Sequence, residues 1–225
     1  MTNRLQAILV VASLVSGTAG AATMLTARDG RDFDLVASAN PGTPGSRDTD
    51  RTAMFERARG RTAQADAVAS ASATCDGCRG TAATVQVIYV NKAKRPTADN
   101  LANAWSTCTN CRATAVSVQV LVVRPGVSVA AQNRAFAVNA SCSGCTSAAV
   151  AVQLVVVTNK HRTLSRKGRQ QLEALANELQ NQLTNRTKAK LLAAPKNSDS
   201  TGLEAVVRKE LKPLSVKPHI SVQTR

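Results

Sequence analysis

The stretch Cys108-Thr-Asn-Cys-Arg-Ala-Thr-Ala-Val-Ser-Val-Gln-Val-Leu-Val-Val123 decides how this chain is read, because the chain contains three versions of it. The other two open with Cys75-Asp-Gly-Cys78 and Cys142-Ser-Gly-Cys145, and the unit starts lie 33 and 34 residues apart. Each unit places a glutamine eleven residues after its first cysteine, at Gln86, Gln119 and Gln153, and all six cysteines of the chain belong to these motifs. After the second cysteine the residues alternate. Val116, Val118, Val120 and Val122 form one face, while Ala115, Ser117 and Gln119 form the other, which turns apolar only at Leu121. Period-two alternation of this kind predicts a strand, buried on one side throughout and on both sides near its end.

The residues before each first cysteine alternate as well. The small apolar face reads Ala69, Ala71, Ala73 in the first unit, Ala102, Ala104, Ser106 in the second and Phe136, Val138, Ala140 in the third. The pairs between the cysteines, Asp-Gly, Thr-Asn and Ser-Gly, are turn formers, and two of them are known hairpin pairs. Each unit is therefore a strand, a two-residue turn flanked by cysteines, and a longer strand. The stretches 91–100 and 124–133, with Pro96, Pro125 and Gly126, read as loops. The expected fold is mainly β: three stacked hairpins in a meander or sandwich, or a short β-solenoid with one unit per coil, followed by an amphipathic helix. Either arrangement places Gln86, Gln119 and Gln153 in one row, as an amide ladder or as three exposed side chains.

Five segments are expected, the repeat included. Residues 1–21 read as a signal peptide, with Arg4, an apolar run from Leu5 to Val15, and the small-residue cleavage site Ala19-Gly20-Ala21. Residues 22–65, including Asn40-Pro-Gly-Thr-Pro-Gly45, have few groups to bury and read as a disordered leader, with a short helix starting at Met54 and Phe55. The repeat domain spans 66–158. A helix follows within 159–184, with Ser165 as its N-cap and Leu172, Leu175, Ala176, Leu179 and Leu183 on one face, suited to packing on the repeat or to self-association. Residues 185–225 form a basic tail with a short helix from Thr201 to Leu211, capped by a Thr201/Glu204 box and followed by Pro213 and Pro218 in an extended segment.

Composition narrows the function. Only five residues are aromatic, and the formal charge is +15 from 29 Lys/Arg against 14 Asp/Glu. Residues 159–225 hold fourteen of those cations against five acids. Such a tail favours anionic partners, an envelope polymer or a membrane surface, by non-specific attraction. Specific nucleic-acid binding is not expected, because stacking aromatics and recognised motifs are absent. No cofactor and no catalytic residue is expected: there is no His-Glu-x-x-His, no Gly-x-Ser-x-Gly and no phosphate-binding glycine loop. The acidic residues are scattered, and the closest group, Asp29, Asp32 and Asp34, falls in the leader; His161 and His219 are isolated.

Three chemistries compete for the cysteines. In an exported chain, Cys75 with Cys78, Cys108 with Cys111, and Cys142 with Cys145 are disulfide candidates, since a tight turn brings its ends within bridging range. Each bridge would close a four-residue loop, for which chain entropy gives roughly 2 kcal/mol. Redox activity is the second, although no helix follows the motif to lower a cysteine pKa. Zinc is the third, because paired Cys-x-x-Cys motifs about thirty residues apart resemble a zinc ribbon; three pairs would leave one without a partner. The expectation is three bridges and no metal.

The blocks from about residue 65 to 183 resemble a group of largely uncharacterised exported bacterial repeat proteins. Those carry Cys-x-x-Cys, an Ala/Val-rich strand with a central glutamine, and a helix introduced by a segment like Leu164-Ser-Arg-Lys-Gly168. Some relatives bear the label peptide zinc metalloprotease, which implies nothing for a chain without that zinc motif. The resemblance implies an exported repeat protein. Together these readings describe a secreted or envelope-associated, disulfide-stapled scaffold with a structural or binding role, against the alternative of a thiol-redox or zinc protein.

Overall fold

The computed structural model describes residues 32–185 and 198–225, so the expected signal segment lies outside the described residues. Eight strands alternate between two parallel sheets. The short sheet holds β1 (Asp32–Ala39), β3 (Gln64–Ala73), β5 (Thr97–Ser106) and β7 (Ala130–Asn139) in that order. The long sheet holds β2 (Arg47–Ala58), β4 (Arg79–Val90), β6 (Arg112–Val123) and β8 (Thr146–Val157), with β9 (Ser215–Thr224) added antiparallel to β8. Each coil lies on the next, so the molecule is a four-coil β-solenoid, and the hairpin alternative is excluded. The strands on either side of a cysteine motif belong to different sheets and cannot pair with each other.

The turn residues nonetheless do what their chemistry requires. Gly77, Asn110 and Gly144 have φ of 70°, 56° and 69°, the left-handed region that glycine and asparagine enter most readily. These corners also bond from coil to coil: Gly77 N–H donates to Thr109 O and Asn110 N–H to Ser143 O, both at 2.8 Å. A hairpin would forgo those bonds. Identical coils in register keep them and set like residue on like residue.

From Asp32 onward the leader expectation is overturned, while its residues 22–31 lie outside the described residues. Asp32–Ala39 and Arg47–Ala58 form the first coil, and residues around Met54 are strand rather than helix. Its corner is Thr43-Pro-Gly-Ser46, in which Ser46 N–H donates to Thr43 O at 3.0 Å, as Cys78 N–H does to Cys75 O. Gly45 takes φ 74° where Gly77 takes 70°. This coil reads as polar because it is the exposed end of the stack. Asp50 and Asp48 each accept a backbone N–H of the free β1 edge at 2.7 Å, from Ser38 and Asn40. Charged edge strands of this kind resist unwanted pairing.

The third unit also departs from its expected pattern. Ala135 and Ala137 face inward in register with Ala102 and Ala104, whereas Phe136 and Val138 are each 47% exposed. The unit carries one extra residue between β7 and its cysteine, absorbed at Ala140-Ser141, where Ser141 has φ 50°. Counting back from Cys142 therefore shifts the faces by one.

Between the sheets lie three zones. Alanines and cysteines pack near the corners, the glutamines lie in the middle, and Ile88, Leu121 and Val155 fill the far end with Phe33 and Ala98. The valine face of the long sheet is covered by α1 (Arg166–Asn185), whose Leu172, Ala176, Leu179 and Leu183 are buried in the same cluster as Val118, Val120 and Val152. The stripe offered for self-association is thus buried on the chain's own sheet. The β6 strand is consequently buried on both faces over nearly its full length, more than alternation implied. Ser165 caps α1 as expected, its Oγ accepting from Gly168 N–H at 3.0 Å.

Helix α2 (Ser198–Leu211) starts three residues before the expected Thr201, and Glu204 pairs with Arg208. The extended tail beyond it is strand β9. Pro218 is tolerated there because an edge strand can spare an N–H. Ser221 Oγ and Gln223 Oε1 accept the edge N–H groups of Ala135 and Ala137 at 3.1 and 3.0 Å, so β9 closes both sheets. None of the described helices is long and apolar enough to cross a membrane.

On the outer face of the short sheet, Asp34, Asp66 and Asp99 stand in register. Arg134 pairs with Asp99 and Gln64 donates to Asp66, while the Asp34 carboxyl is pushed up by partial burial, then by Asp66 and Asp32. A raised folded-state pKa means that this group's contribution is fully present below its unfolded pKa and is lost as pH rises through the folded one. Asp34→Asn is therefore expected to raise the melting midpoint at pH 7 by roughly 1–3 °C, given the modest cost of like charges across strands. Thermal melts at pH 7 and at pH 3 check this, because the gain should vanish once the aspartate is protonated.

Candidate functional site

The cysteine corners were the leading candidate for chemistry. Each motif is bridged within itself, with Cα–Cα distances of 5.3, 5.7 and 5.8 Å for Cys75–Cys78, Cys108–Cys111 and Cys142–Cys145. These lie inside the bridging range of about 4.4–6.8 Å. The second cysteine of each pair, Cys78, Cys111 or Cys145, is buried among alanines. Sulfurs rest on carbonyls of the preceding coil, Cys78 Sγ 3.0 Å from Thr43 O and Cys108 Sγ 3.0 Å from Ala73 O. A strand follows each motif, so no helix terminus is placed to stabilise a thiolate. Among the described residues there is no free cysteine and no cluster arranged to hold a metal. Three disulfides are consistent with an oxidising environment outside the cytosol.

The glutamines form a continuous ladder, each fully buried. Gln119 Nε2 donates to Gln86 Oε1 and Gln153 Nε2 to Gln119 Oε1, both at 2.7 Å. The remaining donors reach short-sheet carbonyls: Gln86 to Phe33 O at 2.7 Å and Gln119 to Ala65 O at 2.8 Å. In the first coil Met54 occupies the glutamine position, and there the row ends. The ladder ties coil to coil and sheet to sheet and ends on Gln153 Oε1, which has no hydrogen-bond partner; a buried row of neutral amides has no acid, base or nucleophile to offer a substrate. A second pair escaped sequence reasoning: Asn100 Nδ2 donates to Asn133 Oδ1 at 2.7 Å, and Ser117 Oγ to Asn100 Oδ1 at 2.5 Å. Its signal was available, since both asparagines sit at the same offset from the start of their strands. His161 lies 3.1 Å from Asn91 Oδ1, and His219 stands in β9 opposite Gln153, so the two histidines belong to separate places.

Two basic features remain. Arg47, Arg79 and Arg112 each open a long-sheet strand directly after a corner and stand in register, roughly 4.8 Å apart as neighbouring strands are. Arg112 Nε donates to Thr146 Oγ1 at 3.0 Å, and its guanidinium also donates to the carbonyl of Thr184 in the last turn of α1. Its pKa is lowered by burial first and then by Arg79. The second feature is a cavity of about 170 Å³ lined by Thr158, Asn159, Lys160, Arg162, Lys212 and Leu214, three of whose six side chains are cationic and none acidic.

The architecture and its bridges define a class: a disulfide-stapled, two-sheet parallel β-solenoid with a helical cover and an antiparallel closing strand. Comparison with protein-family models, with curated proteins and with solved structures gives no match for this chain.

Proposed function

We propose that this is an exported, non-enzymatic scaffold of the cell envelope that engages anionic polymer or anionic membrane surface through its basic C-terminal region. The observation that carries the reading is the pairing of every cysteine of the repeat within its own corner, with the second sulfur of each pair buried, which makes the cysteines staples rather than reagents. The apolar N-terminal segment and the resemblance to exported repeat proteins support export. The tail cation Lys212 faces the same cavity as Lys160 and Arg162, which supports an anion contact where the tail meets the repeat.

Vesicles of anionic phospholipid and purified anionic wall polymer, sedimented with the oxidised protein, test this reading. Binding at low salt is expected to disappear near 1 M salt, where the screening length falls to about 3 Å. A Lys160→Gln/Lys212→Gln variant should bind several-fold more weakly. Retention that is unchanged at high salt would remove the electrostatic mechanism.

A further inference from the structure

We infer that the arginine column Arg47, Arg79 and Arg112 is a second anion site, one that takes consecutive phosphate groups of a linear chain along the solenoid axis. This rests on the reading that the protein meets anionic polymers, but it places recognition on the repeat instead of the tail.

The column needs an explanation because like charges set opposite one another in a sheet oppose folding. Further along the same face, the central strands carry Ala83 with Val85, and Val116 with Val118, which serve the core. The fourth coil does without an arginine and has Thr146 at that position. Among the described residues, the ion pairs are Arg134 with Asp99 and Arg208 with Glu204, so no described carboxylate neutralises the column. The Arg112 guanidinium feels burial and the neighbouring charge of Arg79. The repulsion is therefore left in place in the free protein and would be relieved by an external anion.

Geometry selects the anion. Each guanidinium presents planar, forked donors that match phosphate and carboxylate. Successive rungs are roughly 4.8 Å apart, close enough for one group to be shared by two arginines. Every interior group of a linear phosphate chain keeps two non-bridging acceptor oxygens and a negative charge, so one chain serves successive forks at once, which a single carboxylate cannot do. Arg112 is already held by Thr146 and by the α1 carbonyl end, whereas Arg47 and Arg79 are exposed. One anchored and two open rungs make a strip that reads a chain of charges and gains little from a single ion. Two residues along the same strands, the Thr49 and Thr81 hydroxyls bond at 2.8 Å, adding neutral donors at the same spacing.

The test uses fluorescently labelled linear polyphosphate and anisotropy titrations on the full, oxidised chain at several salt concentrations. Arg47→Gln/Arg79→Gln is expected to weaken binding at least about tenfold and to reduce the salt slope by about two. Arg79→Lys should keep the slope and still lose affinity, because lysine lacks the fork. Inorganic phosphate should compete only at far higher concentration. The same loss with anionic phospholipid vesicles would identify clustered headgroups as the source; loss with polyphosphate alone would identify a polymer. Wild-type affinity in the double variant overturns the proposal. If the Lys160→Gln/Lys212→Gln variant loses polyphosphate binding while the arginine variant keeps it, the tail reading stands and this one falls. Circular dichroism and the mass of the fully bridged chain verify folding, and the single exposed Arg79→Gln keeps the test available should the double variant misfold.

Discussion

Replacing Gln119 by leucine is expected to destabilise the solenoid by about 2–4 kcal/mol, because each buried polar group left unpaired costs about 1–3 kcal/mol. Gln119 is the central rung: its Nε2 serves Gln86 Oε1, Ala65 O and, at 3.3 Å, Asp99 O, and its Oε1 receives Gln153 Nε2. Leucine abandons all four partners in a site with no access to water. The melting midpoint should fall by roughly 5–15 °C, given about 2–4 °C per kcal/mol for a chain of this size. Gln153→Leu should cost less, since that residue ends the row and abandons only Gln119 Oε1 and Gln132 O. Gln170→Leu, on the exposed side of α1, should cost almost nothing. Denaturant melts of the oxidised proteins rank the three. Equal stability of Gln119→Leu and Gln170→Leu would mean that the row of amides contributes nothing to the fold.

Shortening the chain to residues 1–213 is expected to turn a single species into oligomers or precipitate. Strand β9 covers β8, whose twelve residues from Thr146 to Val157 include six apolar branched side chains and are buried almost throughout. Its removal also uncovers the β7 edge that Ser221 and Gln223 now satisfy. An exposed, long, apolar edge is a template for another copy. The opposite end of the stack carries Arg47, Asp48, Asp50 and Arg51 and needs no such cover. Size-exclusion chromatography of the shortened chain checks this; a stable monomer would show that β9 is an appendage and not a cap.

These two results bear on different parts of what the sequence made legible. The period, the turn residues and the central glutamines were readable because identical coils repeat identical chemistry, so Gly77, Asn110 and Gly144 announced their left-handed corners. Whether those corners joined hairpins or coils was not readable, since Asp-Gly and Ser-Gly serve both, and only pairing across 33 residues decides. The first coil escaped because Ser46 and Thr43 replace the cysteines and Met54 the glutamine, while charges at the free end mimic a disordered composition. Yet Phe33, Leu35, Ala37 and Ala39 already alternate at period two and are all buried. The tail strand escaped for a similar reason: Pro218 and Lys217 discourage a strand assignment, but an edge that pairs on one side tolerates both. The arginine column was plainly present after each corner, and it went unread because its meaning depends on parallel register, which places Arg47, Arg79 and Arg112 side by side.

The view of the cysteines as staples is exposed most directly by intact mass of the protein recovered after export, alkylated with and without prior reduction, alongside metal analysis. No adduct before reduction, six adducts after it and no stoichiometric zinc are the expected outcome. Thiols that alkylate in the native protein, or zinc released as they react, would instead make the corners a reactive or metal-binding site and end the scaffold reading.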